Sequence, residues 1–452
     1  MKIPSHYLYG ASTQRAVENF PVSGLRFSRD FIRALGTVKA GCAQVNKELG
    51  RLKPDVADAI FKASQTIAEG THDEHFVVDI FQTGSGTSTN MNFNEVAANV
   101  ANVDLGGEVG SKSPIHPNDD VNMGQSSNDV IPTAIHVAAA MMVSEKLIPA
   151  FIGLQQSLEA KAKEFSGLVK TGRTHLQDAT PITLGQEFSG YAHQAKMALE
   201  RVNRAMPSVY ELALGGTAVG TGINTHKDFG SKVAAYLEKH FGLPFCEAPN
   251  HFEAQASKDG LVELSGALRG AAVSLTKIAN DVRWLSSGPR CGFSEIIIPE
   301  TQPGSSIMPG KVNPVMPEAL LQVCAHVIGA DAAVAFGGQA GNFELNVMMP
   351  VIAHNLLGAI DALAGGISVF DKKCVQGIEA NKEKIEETVE RSLMLATKLA
   401  PVVGYDKAAM ISKTAFKSNR TVREVAREEL DLSEKELNEA LDPSNMLAPD
   451  EQ

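Results

Sequence analysis

Residues 261–285 read LVELSGALRGAAVSLTKIANDVRWL. Leu261, Leu264, Leu268, Ala271, Leu275, Ile278, Val282 and Leu285 recur at a 3.5-residue period, and all eight are apolar. That period marks the seam of a coiled-coil-like bundle, not the alternation of a strand. At 1.5 Å of rise per residue the helix is ~36 Å long. A seam of that length with a small alanine inside it predicts a tight bundle, and association of copies through it. The stretch decides for a mostly α fold.

Neighbouring segments carry the same pattern. Leu147, Phe151, Leu154 and Leu158 follow 4-3-4 spacing, and Phe188 to Leu212 alternates 3 and 4, with a kink expected at Pro207. Upstream, helices are predicted over Asp30–Leu49 and Pro54–Glu69, separated by turn-rich pieces. Downstream of about Glu383 the chain becomes charged, and Lys413–Glu439 reads as short helices with a solvated face. Three domains follow: a mixed, mainly helical one over 1–125, a central helical bundle over 126–382 and a small helical one over 383–452.

Composition narrows the function classes. With 452 residues the core can be large. Aromatics are only 6%, so Ala, Leu, Val and Met supply the apolar content, which suits packed helices. A net charge of −11 without a basic block disfavours nucleic acid as a partner. Five cysteines without a C-x-x-C point to reduced thiols rather than a disulfide framework, zinc ribbon or iron–sulfur site. His72 and His75 form an H-x-x-H with no third ligand nearby, so two solvated histidines are expected. No signal or transit pattern opens the chain at Met1–His6, and no run nears ~18 uninterrupted apolar residues. A cytoplasmic location without a membrane partner is expected.

Four polar loops stand out against the helices. Gly304-Ser305-Ser306-Ile307-Met308-Pro309-Gly310-Lys311-Val312-Asn313-Pro314 offers two hydroxyls, an ammonium, a carboxamide and backbone N–H groups. Those are parts for holding an anion and moving a proton beside it. Gln82–Asn92 packs small hydroxyl and amide donors before a helix start at Asn94. Gly124–Asp129 reads as a capped helix start with Pro132 in the first turn, yet it holds more polar groups than a cap needs. Thr171–Pro181, a loop interrupting the bundle, sets His175 beside Thr174 and Asp178, and histidine titrates near neutrality. Gly215–Gly222 fits neither phosphate-loop nor dinucleotide spacing, so no nucleotide is assigned.

Taken together and in this order, Gly84–Asn92, Gly124–Asp129, Gly172–Pro181 and Gly304–Pro314 closely resemble the fumarase/aspartase superfamily, in its class II, iron-independent fumarase branch. The likeness runs from Leu8-Tyr9-Gly10 to the C-terminal domain. Gly310, His175 and Ser127 stand where aspartases typically carry Ala, Gln and Thr, and Gly341–Asn346 also matches the fumarase branch.

The resemblance implies a three-domain, mostly α fold whose central bundle tetramerises, with each active site drawn from three chains. Ser305 is implied as the base that removes the C3 proton of malate. Lys311 and Asn313 would bind the adjacent carboxylate. Ser85, Thr87, Ser126, Ser127, Asn128 and Thr174 would hold the substrate carboxylates, and Ser306 would support the loop. His175, paired with Glu318, would activate the water. His116, Asn118 and Asp119 match a secondary dicarboxylate site, where Ser113 replaces an arginine often found there. No metal or organic cofactor is implied. The expected reaction is reversible hydration of fumarate to (S)-malate; the alternatives are aspartate ammonia-lyase action and a catalytically silent structural relative.

Overall fold

The computed structural model describes residues 3, 4 and 6–449; of the N-terminal stretch Met1–His6, the residues Met1, Lys2 and Ser5 lie outside that description. In chain order the helices and strands are α1 (Ala11–Asn19), α2 (Arg29–Glu48), α3 (Pro54–Ala68), α4 (Thr87–Asp104), α5 (Ser127–Met142), α6 (Ile148–Glu164), β1 (Val169–Thr174), β2 (Gln177–Thr183) and α7 (Leu184–Val209). Next come β3 (Glu211–Leu212), α8 (Phe229–Phe241), β4 (Cys246–Glu247), α9 (His251–Ala256), α10 (Asp259–Leu285), β5 (Ile296–Ile297) and α11 (Val315–Gly338). The chain ends with β6 (Gly341–Asn342), β7 (Leu345–Asn346), α12 (Met349–Lys373), β8 (Glu379–Ala380), α13 (Lys382–Arg391), α14 (Ala400–Val403), α15 (Tyr405–Ser418), α16 (Val422–Glu429) and α17 (Glu434–Ala440). The mostly α expectation holds. All eight seam residues of α10 are buried, at no more than 4% exposure.

Contacts divide the chain into two compact units, one of Met1–Pro149, Ala198–Val273 and Val323–Gly365, the other of Ala150–Met197, Ser274–Gln322 and Gly366–Gln452. In the first unit α2 is capped by the Ser28 side chain and buries Phe31, Leu35, Val38, Cys42 and Val45 at helical spacing. Helix α5 is apolar on every side, so nearly all of it is buried from Asp129 to Met142, with only His136 partly exposed. A helix without a polar face has to be enclosed.

The second unit holds the antiparallel pairs β1–β2 and β5–β8. Its C-terminal helices share a core that includes Leu395, Leu399, Ile411, Val425, Leu437 and Leu441. Capping boxes at Thr421 and Ser433 start α16 and α17. The exposed pairs Arg420–Glu428 and Arg427–Glu434 decorate that core and add little.

Several local expectations are corrected. Thr171–Pro181 is no loop but most of the β1–β2 hairpin, turned by His175 and Leu176 at φ +55° and +60°. Two-residue hairpin turns normally announce themselves with Asn-Gly or Asp-Gly, and that signal is missing. Pro132 lies beyond the first turn of α5, which starts at Ser127. Pro207 lies inside α7, two residues from its end. His75 is buried, packed edge-on to Tyr7 and accepting the Leu8 N–H, not solvated. Burial lowers its pKa. The cysteines form no disulfide among the described residues.

Ser127–Glu164, α11 and Met349–Gly377 are long and apolar enough, by length and composition alone, to cross a bilayer. Polar groups inside two of them are met within the fold. Asp129 accepts the Ser126 N–H, and Asp331 takes Ser265 and Arg269.

Candidate active site

In the first unit two helix starts meet. Thr87 is the first residue of α4 and Ser127 the first of α5, and their hydroxyls lie 2.7 Å apart. Ser85 extends the chain of hydroxyls, its Oγ 2.7 Å from Thr87 Oγ1. The positive dipole ends of both helices therefore surround one row of hydroxyls, an arrangement that selects for an anion.

Packing fixes this cradle. A Cβ on Gly84 would stand 1.8 Å from the Val347 carbonyl oxygen, so only glycine allows that approach. Ser126 caps α5 in a box with Asp129: its Oγ accepts the Asn128 N–H while Asp129 Oδ1 accepts the Ser126 N–H at 2.8 Å. The other oxygen, Oδ2, accepts N–H groups from Gly215 and Thr217 at 3.2 and 2.8 Å. Burial pushes the Asp129 carboxyl up to about 6 against those bonds. Asn128 Nδ2 donates to the Ala218 carbonyl at 2.8 Å, which turns that side chain to the same Gly/Thr loop. The loop assigned no nucleotide thus serves as a brace for the α5 start.

The second unit carries the hairpin and the Gly304–Pro314 loop. Thr174 and His175 are exposed at the hairpin tip. The root is clamped: the fully buried Glu295 meets Arg173 at 2.7 Å and Lys170 at 2.9 Å, and Lys170 also reaches Glu187 at 2.8 Å. The Arg173 guanidinium lies 4.4 Å over the Phe293 ring. In the loop, a Cβ on Gly304 would stand 1.9 Å from the Lys311 carbonyl oxygen, so the loop closes on itself there. Asn313 Nδ2 ties it further by donating to the Gly304 carbonyl. Ser305 Oγ accepts the N–H groups of Ile307 and Met308 at 3.2 and 3.1 Å. Two aligned amides stabilise negative charge on that oxygen. Ser306 and Lys311 are exposed, and Glu318 lies in the first turn of α11. No hydrogen bond or ion pair joins His175 to Glu318 among the described residues of the single chain.

His116 Nδ1 accepts the N–H groups of Asn118 and Asp119 at 3.3 and 3.2 Å and caps the short turn Pro117–Val121. Asn118 and Asp119 are exposed.

Residues 1–329 match the family described as "Lyase", and residues 395–448 match "Fumarase C C-terminus". The chain is 51% identical over 449 residues to a fumarate hydratase class II from Methylorubrum extorquens, covering 99% of this chain and 95% of that protein. The chain belongs to the class II fumarase family. Human mitochondrial fumarate hydratase is 52% identical over 451 residues, covering 99% of this chain and 88% of that one. The crystal structure of a class II fumarase from Schistosoma mansoni superposes with a TM-score of 0.95 at 40% identity, covering 99% and 97% of the two chains. The class II fumarase resemblance drawn from four loops therefore holds across the chain. Sequence reasoning missed the braces, Asp129 to the 215–217 loop and Glu295 to the hairpin. Asp129 was legible only as a cap, and Glu295 lies in no motif.

Proposed function

We propose that this chain is a fumarate hydratase that reversibly hydrates fumarate to (S)-malate. The carrying observation is the junction of two helix starts at Thr87 and Ser127, which suits a carboxylate dianion. On this reading Ser85, Thr87, Ser126, Ser127, Asn128 and Thr174 hold the substrate carboxylates. Ser305 removes the C3 proton, and the aci-carboxylate that forms carries two negative charges. Lys311 and Asn313 gain most as that charge develops, so they lower the barrier rather than merely bind. His175, paired with Glu318, delivers the water that becomes the C2 hydroxyl, and Ser306 supports the loop.

A serine hydroxyl is a poor base unless its alkoxide is stabilised. The two amides on Ser305 Oγ supply that stabilisation. The reading also takes the protein as a cytoplasmic homotetramer of three successive domains, with residues of several chains meeting at each site. Exposed Phe336 and Ile328 on α11, with Trp284 and Val273 on α10, are apolar surface that such an assembly would cover. His116, Asn118 and Asp119 form the secondary dicarboxylate site.

The test is purified protein with malate or with aspartate, followed by the ultraviolet absorbance of fumarate. Absorbance should grow with malate only. Growth with aspartate alone would move the chain to the ammonia-lyases, and silence with both would make it a structural relative. The rate with malate should survive EDTA; loss on chelation and recovery with iron would contradict a cofactor-free reaction.

A further inference from the structure

Lys39 lies in the middle of α2 at zero exposure and forms no ion pair among the described residues. A buried ammonium costs several kcal/mol of lost hydration, and an apolar side chain would fill the same space without that cost. The structure instead surrounds it with amide oxygens. Nζ donates to Asn94 Oδ1 at 2.8 Å and to Asn122 Oδ1 at 3.0 Å. Asn122 Oδ1 also accepts from Asn90 and Asn94 at 3.1 and 3.2 Å. Two further buried acceptors on the same residues and loop, Asn90 Oδ1 and Gln125 Oε1, have no partner. Such an excess of acceptors suits a cation at its centre.

Both halves of the anion cradle are built on this cluster. Asn90 and Asn94 follow Thr87 by three and seven residues, hence on one face of α4. Asn122 Nδ2 donates to the carbonyl of Gln125 at 3.1 Å, the residue before Ser126. Of the titratable groups that act on Lys39, the Cys42 thiol is held neutral by burial, and Asp129 acts without touching it. The Asp129 carboxylate is already taken up by three backbone N–H groups.

We propose that Lys39 is a positioning residue for the dicarboxylate site: through Asn94 and Asn122 it holds the start of α4 and the 122–128 loop in one register, and its buried charge offsets that of the bound dianion. The inference rests on the dicarboxylate reading above. Desolvation lowers the Lys39 pKa to about 7, so the charge is present at neutrality only in part and a bound dianion favours it.

The test measures calorimetric binding of succinate, a dicarboxylate that cannot react, together with malate kinetics and thermal midpoints. Lys39→Met should weaken succinate about tenfold, ~1.4 kcal/mol of binding. It should raise KM for malate in parallel and leave kcat within about threefold, while the midpoint falls because the buried Asn94 amide oxygen loses its donor. Asn94→Asp gives the ammonium a carboxylate partner in the same volume and should weaken succinate similarly. A lowered midpoint with unchanged succinate affinity in Lys39→Met would show a structural role only and overturn the proposal. Should Lys39→Met not fold, Asn94→Asp decides, and wild-type affinity there overturns it. A wild type that binds succinate but leaves malate unchanged would sink the hydratase reading and leave the Lys39 inference standing.

Discussion

The cradle at Thr87 and Ser127 and the loop at Ser305 contrast in how their groups are held. Ser85 is buried, Thr87 and Ser127 are half-buried, and 2.7 Å bonds join the three hydroxyls at the starts of two core helices. On the loop, Ile307 is 83% exposed, Lys311 is exposed, and the hairpin tip carries Thr174 and His175 into solvent. Groups that must present fixed dipoles are set by the hydrophobic core. The groups proposed to handle protons sit on short backbone devices, a serine turn and a tight hairpin, whose roots are anchored. Preorganisation is cheap where a helix start supplies it, and it depends on local braces where a loop does.

Ser305→Ala should sharpen that contrast most, lowering kcat on malate by roughly 10³- to 10⁴-fold with an unchanged thermal midpoint. Near wild-type turnover would place the base elsewhere. Glu295→Ala removes the shared partner of the buried Lys170 and the part-buried Arg173 and should lower stability by about 3–5 kcal/mol in urea titrations. A loss under ~1 kcal/mol would show that the hairpin does not depend on this clamp. Thr87→Ala and Ser127→Ala should each raise KM about tenfold with kcat little changed, the loss of one hydrogen bond to a charged ligand. An equal fall in kcat would assign them to the transition state instead.

The smallest effect concerns pH and lies on α5, one of the cradle's two helices. Burial and the Lys258 charge lower the His136 pKa to about 4. Between about pH 6.5 and 4 the unfolded chain binds a proton there that the folded chain does not, so stability falls as pH falls through that window. Urea midpoints at pH 7.5 and 4.5 should differ less in His136→Gln than in the wild type. An equal difference would assign the acid sensitivity to other groups.

Periodicity made the long helices legible: the α10 seam needed only its 3.5-residue repeat, and α2 and α3 fell within a residue of Asp30–Leu49 and Pro54–Glu69. Capping chemistry made the α5 start legible, because Ser126 and Asp129 are three residues apart. The β1–β2 hairpin was hidden because its turn residues, His175 and Leu176, adopt positive φ without being glycine or asparagine. The Thr87–Ser127 contact joins residues 40 apart, and nothing local encodes it. Lys39 was invisible for the same reason: one lysine among the charged residues of an amphipathic helix reads as a surface position until the burial around it is known.

The division between holding and proton transfer is tested most directly by calorimetric titration of Ser305→Ala with succinate. If the cradle holds the dianion and Ser305 acts only on the proton, the variant binds succinate within about twofold of wild type although its turnover is lost. Binding lost together with turnover would contradict that division and make Ser305 part of the anion site.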